Sequence, residues 1–140
     1  MTKRGYRQSG FSLLELMLTI AIIAIIAAVA IPSYRDSVVR GYRSQAQADL
    51  MAMAQRAENV MSTELSYARL NGATARSPQD APDENKVYDI TVSATATTFT
   101  ATASPVSSGP AAGNGDLSIN QLGQREWDHP DLGTISRWEE

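Results

Sequence analysis

The chain has 140 residues, a formal net charge of −3 and no cysteine. The lack of cysteine excludes disulfides, zinc–thiolate sites and a thiol nucleophile. The length allows one membrane segment and one small domain, and charge is unevenly shared between them. Lys3, Arg4 and Arg7 precede residue 11 with no acid among them, so residues 11–140 carry 9 basic and 15 acidic side chains. The body of the protein is therefore acidic.

Residues 1–10 form a short basic leader, and an apolar run of about 21 residues follows it and ends at Ile31 and Pro32. That length is sufficient to cross a bilayer. Positive residues before such a run keep that end in the cytoplasm, which predicts an N-in, C-out topology. Glu15 lies near the start of the run, where an ionised carboxylate costs about 3 kcal/mol, so we expect it to be functional.

Two simpler interpretations compete for the same run. A secretory signal would have its apolar region at residues 13–26 and a cleavage box at residues 28–30, so that the mature protein would start at Ile31. A single-pass anchor with an incidental acid is the other. Both leave Glu15 unexplained, and the run is longer than the 7 to 15 apolar residues of ordinary signal peptides.

Residues 10–15 (GFSLLE), the apolar run and Ser33-Tyr34 closely resemble the class III signal of type IV pilins and pseudopilins. The resemblance implies that a prepilin peptidase cuts between Gly10 and Phe11 and that the new amine of Phe11 is methylated. Independently, Phe11 and Glu15 are four residues apart and share one side of a helix. Glu15 would then pair with the Phe11 amine of a neighbouring subunit, compensating two buried charges and setting the register between subunits.

After Pro32, which we expect to break or kink the helix, the pattern becomes amphipathic over residues 33–66. Its apolar stripe consists of Tyr34, Val38, Tyr42, Ala46, Leu50, Met53, Ala57, Val60 or Met61, and Leu65. From Ala46 to Leu65 this stripe is best interpreted as the core face of a globular head. The sequence therefore predicts one long helix over about residues 11–66.

A Gly- and Pro-containing stretch predicts a loop over residues 67–85. Alternation predicts strands over residues 86–93, 98–103 and 115–120, with these side chains inward: Tyr88, Ile90, Val92, Phe99, Ala101, Ala103, Leu117 and Ile119. The expected fold is α+β, with the C-terminal half of the helix packed on an antiparallel sheet of three to four strands. The expected organisation is a leader (1–10), an apolar membrane and polymerisation helix (11–32) and a periplasmic head (33–140), whose sheet and tail span residues 86–140.

The sheet region also resembles the heads of minor pilins and DNA-uptake pilins, on the strength of residues 99–105 (FTATASP), an Asp-Leu-X-Ile strand and a Gly turn. The family's C-terminal cysteine pair is missing: Arg137 precedes Trp138, and no cysteine lies near Asp116. We therefore expect packing of Trp127, Ile135 and Trp138 to hold residues 121–140.

Catalytic, metal and nucleic-acid sites are each disfavoured. His129, the single histidine, has no nucleophile at a meaningful spacing and is interpreted as a solvated loop residue. Oxygen ligands for calcium could come from Asn114, Asp116, Asp128 and Asp131, but no EF-hand spacing is present. Beyond residue 66 there are five basic and ten acidic residues, which disfavours DNA binding except at a local patch of Arg69 and Arg76.

The sequence thus predicts a non-enzymatic type IV pilus subunit, most like a minor pilin, with no cofactor. Its expected partners are other pilin subunits, prepilin peptidase and the inner-membrane assembly machinery. It would be held in the inner membrane before assembly and then reach the pilus. A type II secretion pseudopilin and a DNA-uptake pilin remain alternatives, and the sequence leaves adhesion, motility, uptake and secretion open.

Overall fold

A single long helix, α1 (Leu13–Glu64), runs through most of the first half of the chain. The computed structural model describes residues 11–138. The chain forms two compact units, Met1–Ser37 and Val38–Glu140, and α1 contributes to both.

In the first unit, the described residues are almost entirely helical and exposed. An 18-residue window of α1 reaches a mean hydropathy of 2.7 with none of its residues buried. By length and composition, this helix could cross a membrane. An apolar surface of this size is unstable in water, so it requires lipid or protein as a covering.

Pro32 lies inside α1, and the helix continues through it without interruption. The helix is therefore not interrupted at Pro32, and a kink there stays a prediction. A proline removes one backbone hydrogen bond, and the bonds of the turns on either side keep the helix intact here.

The second unit contains a six-stranded antiparallel sheet in which every strand pairs with the next one along the chain. The strands are β1 (Thr74–Ser77), β2 (Tyr88–Ala94), β3 (Phe99–Pro105), β4 (Leu117–Asn120), β5 (Arg125–His129) and β6 (Gly133–Ile135). Two short 3₁₀ helices, Ala68–Leu70 and Asp83–Asn85, lie on either side of β1.

One face of the sheet and one stripe of α1 form the core. The helix contributes Ala46, Leu50, Met53, Ala57 and Val60, which recur at steps of three and four. The strands contribute the alternate residues that the sequence predicts to point inward, and all eight are buried. Each fully buried Leu or Ile contributes about 1.5 to 3 kcal/mol, so neither layer is stable without the other.

The α+β class, the long helix and the antiparallel sheet are confirmed. The sheet has six strands where the alternation predicts three to four. β1 lies within the predicted loop, and β5 and β6 lie within the predicted tail. These strands carry few apolar residues and owe their conformation to pairing with a neighbouring strand, which single-sequence periodicity does not detect.

The predicted apolar stripe of the helix is too long at its C-terminal end. Leu65 is 83% exposed and adopts a left-handed conformation with φ of 55°. It ends α1 in the position usually taken by glycine or asparagine, which turns its side chain away from the core. Tyr34, in the first unit, is also exposed.

Candidate functional site

Ser12 and Glu15 cap the N-terminus of α1. The carbonyl of Ser12 accepts a hydrogen bond from the Leu16 N–H at 3.1 Å, and the Ser12 N–H donates to Glu15 Oε2 at 3.4 Å. A serine followed three residues later by a glutamate is the capping-box pattern, in which the acid satisfies a backbone donor that the helix leaves free. Its negative charge also complements the positive end of the helix dipole.

This cap positions the carboxylate beside the backbone of the residue that follows Phe11. Phe11 itself is 85% exposed, and Glu15 is exposed as well. Both predicted assembly residues therefore lie at one end of the apolar helix and are accessible to another chain. The predicted cleavage residue Gly10 lies outside the described residues. The capping role of Ser12 was not predicted, although the Ser-x-x-Glu spacing indicates it.

In the second unit, Trp127 joins the tail to the rest of the head. Its ring is 1% exposed, and its Nε1 donates to the backbone carbonyl of Asn114 at 2.7 Å. The Arg43 guanidinium of α1 lies 3.8 Å from the ring centroid. Tyr88 donates its hydroxyl to Asn114 Oδ1 at 3.1 Å, and burial raises the pKa of Tyr88 to about 12.

Trp138, the last residue that the structure describes, is anchored to the rest of the head. It is 5% exposed, and its Nε1 points at the carbonyls of Ser118 and Glu126, each at 3.1 Å. Gln47 of α1 donates to the Trp138 carbonyl at 3.1 Å. Trp127 and Trp138 are thus buried as predicted, and Ile135 packs against the core while half-buried.

Family comparison gives two matches on adjacent segments of the chain. Residues 5–31 match the prokaryotic N-terminal methylation motif. Residues 32–116 match a family described as "Type IV minor pilin ComP, DNA uptake sequence receptor". The chain belongs to the type IV minor pilin family. The resemblance inferred from residues 10–34 and from the sheet region is confirmed.

Several curated pilins are similar to this minor pilin over short segments. Fimbrial protein EcpC of Eikenella corrodens is 56% identical over 39 residues, 28% of this chain and 26% of that protein. A fimbrial protein of Pseudomonas aeruginosa is 43% identical over 54 residues, 39% of this chain and 35% of that protein. The type IV major alpha-pilin of Moraxella bovis is 44% identical over 45 residues, 32% of this chain and 28% of that protein. The matched segments span about a quarter to a third of these relatives.

Several basic side chains of this pilin's head form ion pairs. Arg69 pairs with Glu64, Arg76 with Asp83 at 2.7 Å, and Lys86 with Asp89 at 2.7 Å. The local patch of Arg69 and Arg76 that the sequence leaves open for DNA is therefore present as two ion pairs. Its positive charge is largely compensated.

His129 is not the solvated loop residue predicted from the sequence. It ends β5 and is half-buried, with its ring 4.4 Å from the Trp127 ring between centroids. Its Nδ1 accepts the N–H groups of Asp131 and Leu132 at 3.0 and 3.2 Å. His129 thus shapes the turn before β6. Within residues 11–138, no three His, Cys, Asp or Glu side chains are grouped so that they could hold a metal ion.

Proposed function

We propose that this chain is a non-enzymatic structural subunit of a type IV pilus that polymerises through the N-terminal part of α1. The observation that carries the proposal is the exposed apolar segment of residues 11–32, which has a single carboxylate, Glu15, near its start. Membership of the minor pilin family supports it, as do the fimbrial relatives. Its partners in the fibre would be other pilin subunits.

The proposed maturation begins with cleavage by prepilin peptidase between Gly10 and Phe11, followed by methylation of the Phe11 amine. Cleavage creates a positive charge next to an apolar segment. Pairing this amine with Glu15 of a neighbouring subunit would leave neither ion uncompensated in an apolar environment. Because the pair joins fixed positions on two helices, it would also set the stagger between subunits.

The proposed organisation before assembly follows from the same features. Residues 1–10 are the leader, residues 11–32 the membrane and polymerisation helix, and residues 33–140 the periplasmic head. The positive charges of Lys3, Arg4 and Arg7 favour retention of the N-terminus on the cytoplasmic side of the inner membrane. The subunit would leave the inner membrane when that machinery adds it to a pilus.

Mass spectrometry of the mature N-terminus tests this proposal. We expect a first residue of N-methylated Phe11 in protein taken from sheared pili. The control is the Glu15→Ala variant, purified from membranes because it should not enter pili. Its mature N-terminus should also be methylated Phe11, because processing should not need Glu15. A mature protein that starts at Ile31, or an uncut Met1, would contradict the proposal.

A second candidate function, DNA uptake, is favoured by the description of the family that matches residues 32–116. The acidic head argues against strong electrostatic capture, since phosphate contacts supply most of the affinity for DNA. The expectation that nucleic acid is not a partner stays a prediction. If this pilin takes part in uptake, the contact must be local and depend on a few arginines.

Binding of labelled duplex DNA by the full chain in detergent tests the second candidate, measured by fluorescence anisotropy at several salt concentrations. The Arg69→Gln/Arg76→Gln variant should weaken binding to all sequences and reduce the salt dependence by up to about two phosphate contacts. Absence of binding at low salt would contradict a DNA-uptake role and leave the structural role intact.

A further inference from the structure

Two of the five asparagines of the chain precede a glycine, in the dipeptides Asn71-Gly72 and Asn114-Gly115. In such a dipeptide, the backbone nitrogen of the glycine can attack the side-chain carbonyl carbon of the asparagine, because glycine has no Cβ to hinder the approach. The reaction closes a five-membered succinimide ring. Its rate in a folded protein depends on how the structure holds the nitrogen and the carbonyl.

At Asn71, the sheet holds both reacting groups. The Gly72 N–H donates to the Val92 carbonyl of β2 at 2.9 Å. Asn71 Oδ1 accepts the N–H of Ala94, at the end of the same strand, at 3.1 Å. The Asn71 side chain is exposed, so accessibility alone would favour reaction here. The hydrogen bond of Gly72 must break before its nitrogen can attack, however, and this requirement slows the reaction.

At Asn114, the attacking nitrogen is not fixed in this way. Asn114 and Gly115 lie in the loop that precedes β4, and both are half-buried, so water still reaches them. Among residues 11–138, no acceptor receives the Gly115 N–H. The nitrogen can therefore approach the Asn114 side chain without first breaking a bond of the sheet.

The side-chain carbonyl of Asn114 has a donor that suits the reaction. Tyr88 donates its hydroxyl to Asn114 Oδ1 at 3.1 Å. Negative charge develops on this oxygen when a nucleophile adds to Cγ, and a donor already in place stabilises that charge. Burial raises the pKa of Tyr88 to about 12, so the hydroxyl keeps its proton at neutral and mildly alkaline pH.

We propose that Asn114 is a site of spontaneous covalent modification, in which Gly115 supplies the nucleophile and the Tyr88 hydroxyl stabilises the oxyanion. The Gly115 nitrogen loses its proton and bonds to Asn114 Cγ. The Cγ–Nδ2 bond breaks, and Nδ2 leaves as ammonia with that proton. Water, the only co-reactant, then opens the succinimide. Its addition to Cγ gives aspartate, and its addition to the backbone carbonyl carbon gives isoaspartate.

The isoaspartate product disturbs the part of the head that holds β5. The Asn114 backbone carbonyl accepts Trp127 Nε1 at 2.7 Å, and a Cβ at Gly115 would lie 1.7 Å from the Asp128 carbonyl oxygen. Isoaspartate adds one carbon to the main chain at this point, so the hydrogen bond and the close contact cannot both be kept. The modification thereby links the age of a subunit to the stability of its head.

Incubation of the full chain in detergent at mildly alkaline pH tests the proposal. Trypsin places Asn71 in the peptide of residues 70–76 and Asn114 in that of residues 87–125, and mass spectrometry measures the conversion of amide to acid in each. We expect Asn114 to convert at least about fivefold faster than Asn71, because only Gly72 must break a hydrogen bond. Equal rates, or faster conversion of Asn71, would overturn the proposal.

Two controls accompany this comparison. In urea, where neither site is held, Asn71 and Asn114 should convert at similar rates. The Asn114→Gln variant keeps an amide, but its longer side chain must form a less favourable six-membered ring. It should show no measurable conversion at residue 114 over the same time. Conversion there at the wild-type rate would exclude the succinimide route and overturn the proposal.

The Tyr88→Phe variant provides the second measurement, because it removes only the hydroxyl. Conversion of Asn114 should slow by about threefold to tenfold in the folded variant, while that of Asn71 stays the same. In urea, the variant and wild type should not differ. A loop that was merely loosened would convert faster, so an unchanged or higher rate overturns the proposal. None of these measurements depends on pilus assembly, so their failure would leave the proposed function intact.

Discussion

The backbone N–H of Ser12 donates to Glu15 Oε2 at 3.4 Å, so the single acid of the apolar residues 11–32 caps α1 from within the same chain. The contact uses one oxygen and leaves the negative charge of the side chain available. Glu15 can therefore have two roles, as a local cap and as the proposed partner of another subunit's amine. These roles depend on different properties of the side chain, which makes them separable by mutation.

We predict that Glu15→Gln and Glu15→Ala will both be processed but will fail to enter pili. Gln keeps an oxygen that can accept the Ser12 N–H, and Ala removes it. If charge pairing sets the register, both variants should reduce the amount of this chain in sheared pili by at least about tenfold. Immunoblotting of sheared pili and membranes measures this. Normal incorporation of Glu15→Gln would show that capping, and not charge, is the role of Glu15.

Trp127 is expected to be a main source of stability in the head. Trp127→Phe keeps an aromatic ring beside Arg43 but leaves the Asn114 carbonyl without the donor it has at 2.7 Å. We expect a loss of about 1 to 3 kcal/mol in the free energy of unfolding. Trp127→Ala should cost about 3 to 5 kcal/mol. Urea denaturation followed by far-UV circular dichroism measures both, and Leu132→Ala, at an exposed turn, is the control that should change little.

Gly115 and Gly123 form a matched pair, because both have positive φ, of 85° and 70°. A Cβ at Gly115 would lie 1.7 Å from the carbonyl oxygen of Asp128, whereas a Cβ at Gly123 would meet nothing within 4 Å. Both alanine variants lose about 1 kcal/mol or more from backbone strain. Only Gly115→Ala must also displace β5. We expect a clearly lower midpoint of thermal unfolding for Gly115→Ala, and equal midpoints would contradict this account of the close contact.

We predict that the head loses stability at high pH because Tyr88 is buried. Burial raises the pKa of Tyr88 to about 12 from an ordinary value of 10.0, with Arg43 opposing the shift. The folded state therefore binds the phenolic proton more tightly than the unfolded state. The stabilisation is complete below pH 10 and is lost as the pH rises from 10 to 12. The thermal midpoint of wild type should fall more steeply over this interval than that of Tyr88→Phe, and parallel curves would contradict the prediction.

The strands with strong alternation could be predicted from the sequence, because each places apolar residues on one face. Tyr88, Ile90 and Val92 are all buried as expected. β1 could not be predicted, since it contains Thr74, Ala75, Arg76 and Ser77 and is a strand because it pairs with β2. In β5, Trp127 is the one buried residue, so the alternation is too short to recognise.

The candidate sites differ in the same way. Phe11 and Glu15 are close in sequence, so their spacing on a helix follows from the residues alone. The surroundings of Trp138 bring together residues that the sequence separates widely, such as Gln47 and Trp138, which are 91 positions apart. Such a juxtaposition depends on the tertiary packing of α1 against the sheet, and local patterns contain no signal for it.

The order of the strands has a consequence for how the head folds during synthesis. Each strand pairs with the one made just before it, so the sheet can grow by one hairpin at a time as the chain emerges. Trp138 is an exception, because it reaches back to β4, β5 and α1. These contacts can form only after Trp138 has emerged, so the packing of α1 on this part of the sheet is completed late in synthesis.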